Sequence, residues 1–180
     1  MRHYISLFIL VTAMTFAPEI HAQKFSGPDK SPHDIAYYRT GRKAPPIVKV
    51  IYGRPQKKGR PVAGTLIPFD AVWRTGANEA TEITFFKDVI FGDKEVKAGT
   101  YSLFSLPGRK EWVIILNSDT DVWGAFDYNE AHDVARTTVP ASSDSKSLES
   151  FSITFEPGDN GADMYLGWDT VRVKIPIREK

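Results

Sequence analysis

The chain has 180 residues, a formal net charge of +1 at pH 7 and no cysteine. Near-neutrality excludes a bulk attraction to nucleic acid or to anionic lipid. The lack of thiols excludes disulfide staples and thiolate metal sites, so the fold must rest on its packed core.

The first segment, "MRHYISLFILVTAMTFAPEIHA" at 1–22, has the form of a cleaved secretory signal. Arg2 supplies the positive start, Ile5 to Phe16 an apolar run, and Ala22 a small residue before the cut. That run of 12 residues is short of the ~20 needed to span a bilayer, and no later stretch approaches that length. With no cysteine to take a lipid, the expected product is exported to the periplasm or the medium, with no transmembrane segment. Cleavage removes Arg2 and Glu19 from 23 basic and 22 acidic residues, which leaves the charge at +1.

Residues 23–46 are polar and punctuated by proline, and Ser31 followed by Pro32 is the helix-start signal there. An irregular lead-in with one helical turn is expected. From Ile47 the period becomes two. In "IVKVIYG" Val48, Val50 and Tyr52 share one face and Lys49 takes the other, which predicts a strand running into the turn-rich "GRPQKKGRP".

Beyond "VWRTGANEATEITFF" (72–86), the chain reads as strands separated by turn signals. Gly92-Asp93 suits a two-residue hairpin with glycine first, and Pro107-Gly108 marks another reversal. "WVIILN" is apolar on both faces and predicts a central strand covered on each side. "DYNEAHDVAR" (127–136) holds one short helical turn started by Asn129, and "ASSDSKSLES" (141–150) reads as a surface connection. "SFSITFEP" alternates with Phe151, Ile153 and Phe155 inward, Asp159-Asn160-Gly161 is a turn, and "TVRVKIPI" sets Val171, Val173, Ile175 and Ile177 on one face. Pro176 places that last strand at a sheet edge. This pattern, with no long amphipathic helix, predicts one all-β domain over 47–180, an antiparallel β-sandwich or jelly roll with at most short helical turns.

Few residues point to chemistry. His33 and His132 are the histidines that follow the signal segment, and neither sits at a metal-ligand spacing, so no metal site and no cofactor is implied. There is no G-x-S-x-G elbow. Of the carboxylates Asp70, Glu79, Glu82 and Asp88, strand parity leaves Glu82 solvated and places only Glu79 at a cavity. In "GRPQKKGR" the lysines read as a solvated turn, whereas Arg54 and Arg60, stiffened by Pro55 and Pro61, are candidates for holding an anion. Turn chemistry accounts for Gly76 and Asn78. Trp73 beside Arg74 is left over, a stacking face next to a planar donor fork.

The blocks "SPHDIAYY", "VKVIYGRPQKKGR", "VWRTGANEATEITF", "KAGTYSLFSLPG", "EWVIILN", "WGAFDY" and "WDTVRVKIPI" resemble the bacterial family known as domain of unknown function 2911, common among exported Bacteroidetes-type proteins. "RPVAGTLIPFD" departs from it, with no aromatic before Gly64 and Asp70 in place of glycine. The resemblance implies a secreted or periplasmic all-β domain and carries no catalytic residue. Its polar blocks complete a candidate ligand-binding set of Trp73, Arg74, Asn78, Glu79, Arg54, Arg60, Tyr52 and His33. If the strands beginning near Ile47 and Ala80 are neighbours, the loops around Arg54 and Arg74 share one end of the fold.

Three functions compete on this reading. The first is a non-catalytic module binding a carbohydrate, a peptide or an envelope component. The second is a hydrolase or lyase acting on a glycan or small acidic metabolite, with Glu79 or His33 as acid or base. The third is a structural protein cross-linked by an amide bond between Lys49 or Lys87 and Asn78, with Glu79 as catalyst. The absence of a recognised catalytic set favours the first.

Overall fold

The computed structural model describes residues 23–180, so the signal-like segment 1–22 lies outside the described residues. Nine strands follow in chain order: β1 (His33–Tyr38), β2 (Val48–Gly53), β3 (Thr81–Phe85), β4 (Val89–Phe91), β5 (Lys94–Val96), β6 (Gly99–Pro107), β7 (Glu111–Asn117), β8 (Asp133–Gly158) and β9 (Gly161–Glu179). They form one antiparallel series in the order β1-β2-β3-β6-β7-β8-β9-β4-β5. Among the described residues the sole helical element is a single 3-10 turn, Glu130–His132, whose N-cap Asn129 accepts from the Ala131 amide as the sequence predicts.

β8 explains how nine strands share one interior. Its first part pairs with β7 over Asp133–Pro140, and from Ala141 onward it pairs with β9 instead. The β1–β2 end of the series then meets β8 and β9. The Lys57 amide donates to Glu149 O, the Phe151 amide donates to Pro55 O, and Tyr38 Oη donates to Gly161 O at 2.6 Å. The main core draws on nearly every strand, with Val48 and Val50 of β2, Phe85 of β3, Ile114 and Leu116 of β7, Phe151 of β8 and Ile175 of β9 all buried.

The apolar run in β7 has its cause in a second, smaller core. Ile114 and Leu116 face the main cluster, while Ile115 points the other way against Ala80 and Phe104, which Val122, Ala125 and Tyr128 cover from a loop. A strand buried on both faces cannot alternate polar with apolar. The Gly92-Asp93 hairpin also forms as expected, with Gly92 at φ 63° between β4 and β5.

Three local expectations change. Residues 33–38, within the stretch expected to be irregular with one helical turn, form β1, which pairs with β2 along its whole length. Its faces alternate only between exposed and half-buried, a weak periodicity for a sequence to show. Residues 141–150 are not a connection but the solvated, irregularly paired middle of β8, with register shifts after Ser143 and Leu148. Pro176 does not mark an edge, because β9 lies between β8 and β4. The ladder with β4 ends at Phe91↔Ile177, one residue short of the proline, so its missing N–H interrupts nothing.

Candidate functional site

Trp73 is a core residue. Its indole, 7% exposed, stacks on Trp168 with ring centroids 6.2 Å apart and meets Phe151 and Trp112 edge-on at 5.1 and 6.1 Å. Its backbone exchanges two hydrogen bonds with Ser105, which extends the sheet past the end of β3. Both faces of the ring are occupied, so it offers no stacking surface to a ligand.

The turn after Trp73 is built differently from the sequence expectation. Thr75 and Asn78 take positive φ, at 54° and 64°. Gly76 is needed for closeness, since a Cβ there would sit 3.0 Å from Thr81 Oγ1 and 3.1 Å from Gly53 O. Thr75 Oγ1 donates to Ser105 Oγ at 2.9 Å, and Thr81 Oγ1 donates to Thr75 O at 2.7 Å, which locks the loop to two strands. β2 and β3 are neighbours, and a Cβ on Gly53 would lie 2.1 Å from Ala77 O. The end of β2 and the 75–79 loop therefore touch.

The polar candidates at this end spread out. Arg54 donates to Asp34 Oδ2 at 2.8 Å, Phe151 O at 3.1 Å and Ser152 Oγ at 2.8 Å, fastening β1, β2 and β8 together. Tyr52 Oη accepts from the Ile153 amide at 3.0 Å, and burial pushes its phenol up. Arg60 donates to Lys57 O and Gln56 O within its own loop. Asn78 Nδ2 donates to Asp29 Oδ1 at 3.0 Å, and Glu79 lies 3.1 Å from His33 Nε2, so the two tie down the segment before β1 and its first residue. Hydrogen bonds from the Ser31 amide, then from Asn78, hold the Asp29 carboxyl below its ordinary value.

Arg74 stands apart. Its Nε is buried with no hydrogen-bond partner, and burial alone lowers its pKa from the ordinary guanidinium value. Its backbone carbonyl is used by Thr81, but no carboxylate among the described residues answers its charge.

The loop between β7 and β8 presents what sequence reasoning passed over. Trp123 is 60% exposed and Phe126 80% exposed. Gly124 and Ala125 separate them, and a Cβ on Gly124, at φ 70°, would fall 2.7 Å from the Phe126 ring, so the two aromatics stand three residues apart on one tight turn. Residues 118–132 carry Asp119, Asp121, Asp127 and Glu130 and no lysine or arginine. The signal was present in "DVWGAFDY", large aromatics set among aspartates and glycine with no strand period to bury them.

This loop is held rigidly. Glu79 and Trp123 form a backbone bridge, the Ala80 amide donates to Val122 O, the Gly124 amide to Asn78 O, and the Asp121 amide to Glu82 Oε1. At its base Asp133 accepts from Tyr128 Oη at 2.7 Å, Arg136 Nε at 2.6 Å and Asn117 Nδ2 at 2.8 Å. Burial, then the bond to Asp133, pushes the Tyr128 phenol up to about 12.

The sequence profile of the family described as "Protein of unknown function (DUF2911)" matches residues 31–177. The chain belongs to this family. No curated protein sequence and no solved structure matches it.

In this DUF2911 domain the described residues contain no cluster of three or more histidine, aspartate or glutamate side chains placed for a metal, and no helix among them is long and apolar enough to cross a membrane. His132 Nδ1 lies 2.7 and 2.9 Å from the two Asp119 oxygens. A carboxylate only accepts, so Nδ1 carries the proton and Nε2 faces Asn129 Nδ2 at 3.4 Å. No hydroxyl or second carboxylate stands at Nε2 among the described residues. The cross-linking trio does not assemble either: Lys87 pairs with Glu179, Asn78 with Asp29, and Lys49 lies four residues up β2 from the contact with the 75–79 loop.

Proposed function

We propose that this protein is an exported, non-catalytic carbohydrate-binding module, and that Trp123 and Phe126 are its contact residues. The observation that carries the reading is their joint exposure on one turn whose backbone is fixed to residues 78–80 ahead of β3 and whose base is tied through Asp133. Exposed aromatics on a rigid platform stack on the apolar faces of sugar rings at low entropic cost. The surrounding carboxylates accept hydrogen bonds from hydroxyl groups, and Glu79, joined by backbone to Trp123, belongs to the same face. A peptide or another envelope component is disfavoured by the small size of the apolar patch, two side chains flanked by acids.

The test is affinity electrophoresis of the chain without residues 1–22 through gels containing β-glucan, xylan, chitin derivative or soluble peptidoglycan fragments. Retardation in at least one gel is expected, with loss in a Trp123→Ala variant that circular dichroism shows to be folded at the temperature of the gel. Retardation that survives the double substitution Trp123→Ala, Phe126→Ala, or its absence from every gel, overturns the reading.

A further inference from the structure

A second concave site lies at the opposite end of β7. It is a cleft of about 270 Å³ with Trp112 at its floor and Ile67, Phe69, Pro107 and Val171 among its walls. Trp112 and Asn117 are five residues apart on β7, which at ~3.4 Å per residue separates this cleft from the Trp123 loop by roughly 17 Å. The volume falls just below the ~300–1,000 Å³ of drug-sized ligand pockets, so the site suits a small apolar body.

The mouth of the cleft carries one charge. Arg109, on the turn between β6 and β7, places its guanidinium carbon 4.5 Å from the Phe69 ring centroid. The ring covers one side of the group, and none of its five N–H donors is hydrogen-bonded among the described residues. No carboxylate pairs with Arg109 among the described residues, although Asp70 and Glu111 flank the turn and the Asp70 amide donates to Pro107 O. Phe69 therefore orients a fork that the protein itself leaves unanswered, and the neighbouring Lys110 adds to the positive potential.

An apolar cavity with an oriented, unpaired guanidinium at its rim matches a molecule with a short hydrocarbon body and one carboxylate. We infer that this cleft binds a free monocarboxylic acid, its chain against Trp112 and its carboxylate held by Arg109. The geometry allows the bidentate contact that arginine makes with a planar carboxylate and that lysine would not reproduce. Aspartate and glutamate are poor occupants, because their second charge would enter the apolar part.

Isothermal titration with octanoate and with octanamide tests this on the chain without residues 1–22. Octanoate should bind, and the amide, equal in length but uncharged, should bind about tenfold weaker or less, as expected for one charge-assisted hydrogen-bonded contact. In Arg109→Gln the two probes should become equal. Ala63→Trp, an exposed rim position, should fill the cleft and abolish octanoate binding with no change in melting temperature. No heat from octanoate, equal binding of the two probes by the unaltered protein, or octanoate binding undiminished in Ala63→Trp overturns the assignment. None of these outcomes bears on the carbohydrate reading, whose residues lie at the other end of β7.

Discussion

Trp73→Ala, set against Trp123→Ala, separates a core tryptophan from a contact tryptophan. A tryptophan side chain covers ~150–250 Å², and at 7% exposure Trp73 withdraws nearly all of that from water. At ~25 cal/mol per Å² the loss on truncation is about 4–6 kcal/mol, in line with the ~3–5 kcal/mol typical of large aromatic-to-alanine changes in cores. Trp123 is 60% exposed, so the same reckoning gives about 1.5–2.5 kcal/mol, itself an upper bound because unfolded chains already bury some apolar surface.

Urea unfolding followed by far-UV circular dichroism reads both. Domains of this size hold ~5–15 kcal/mol of stability, so Trp73→Ala should fold and unfold at a clearly lower urea midpoint with an unchanged slope. At ~2–4 °C per kcal/mol the melting temperature should fall by roughly 8–24 °C. If Trp123→Ala lowers stability as much as Trp73→Ala, or if Trp73→Ala stays within about 1 kcal/mol of the parent, the stacked arrangement of Trp73, Trp112, Phe151 and Trp168 is not what holds the interior together.

Two further outcomes follow from single side chains. Arg74→Met keeps the unbranched stem out to the position of Nε and removes a buried donor without a partner; the urea midpoint should stay level or rise, a gain in stability of up to ~1–3 kcal/mol, and a clear fall would reveal a partner for Arg74. Asp163 is pushed up by burial but more strongly lowered by Arg178, 2.6 Å away, and by Lys174, so its folded pKa lies below its unfolded value. Its contribution is thus complete above the unfolded pKa of ~3.9 and lost as pH falls through the lower folded value. Asp163→Asn should be less stable than the parent at pH 7, with the gap narrowing below pH ~4, and a gap that is constant from pH 7 to pH 3 would contradict the pairing.

What the sequence made legible was local. The Gly92-Asp93 hairpin, the Asn129 cap and the alternation of β2 each depend on residues within a few positions, and each forms as read. Arg54 and Trp73 defeated the reading because their partners are distant in the chain: Arg54 meets Ser152, 98 residues away, and Trp73 stacks on Trp168. A tryptophan beside an arginine looks the same in sequence whether it faces solvent or core, since alternation assigns sides but not which side is closed. β1 escaped for a related reason, one face being exposed and the other only half-buried. Trp123 and Phe126 were written plainly in "DVWGAFDY", but an aromatic in a loop gains meaning only once the surrounding backbone is known to be fixed.

That fixing gives the 75–80 turn its place in the molecule. Asn78 O and the Ala80 amide grip Gly124 and Val122 on either side of Trp123, and Thr75, through Ser105 and Thr81, fastens the turn in turn to β6 and β3. Beneath the loop Val122, Ala125 and Tyr128 pack on Phe104, with the Tyr128 and Phe104 rings 5.1 Å apart, so the loop's apolar residues divide into an inward set that anchors and an outward pair that does not. Burying a large side chain would yield ~1.5–3 kcal/mol, which Trp123 and Phe126 largely forgo. A flexible loop could fold them inward, but this one cannot, because its backbone bonds are already made to β3 and the 75–80 turn. The turn is therefore more than an ordinary reversal: it is the foundation of the loop that keeps two aromatic rings in water, and for the proposed carbohydrate ligand it leaves little backbone ordering cost to meet.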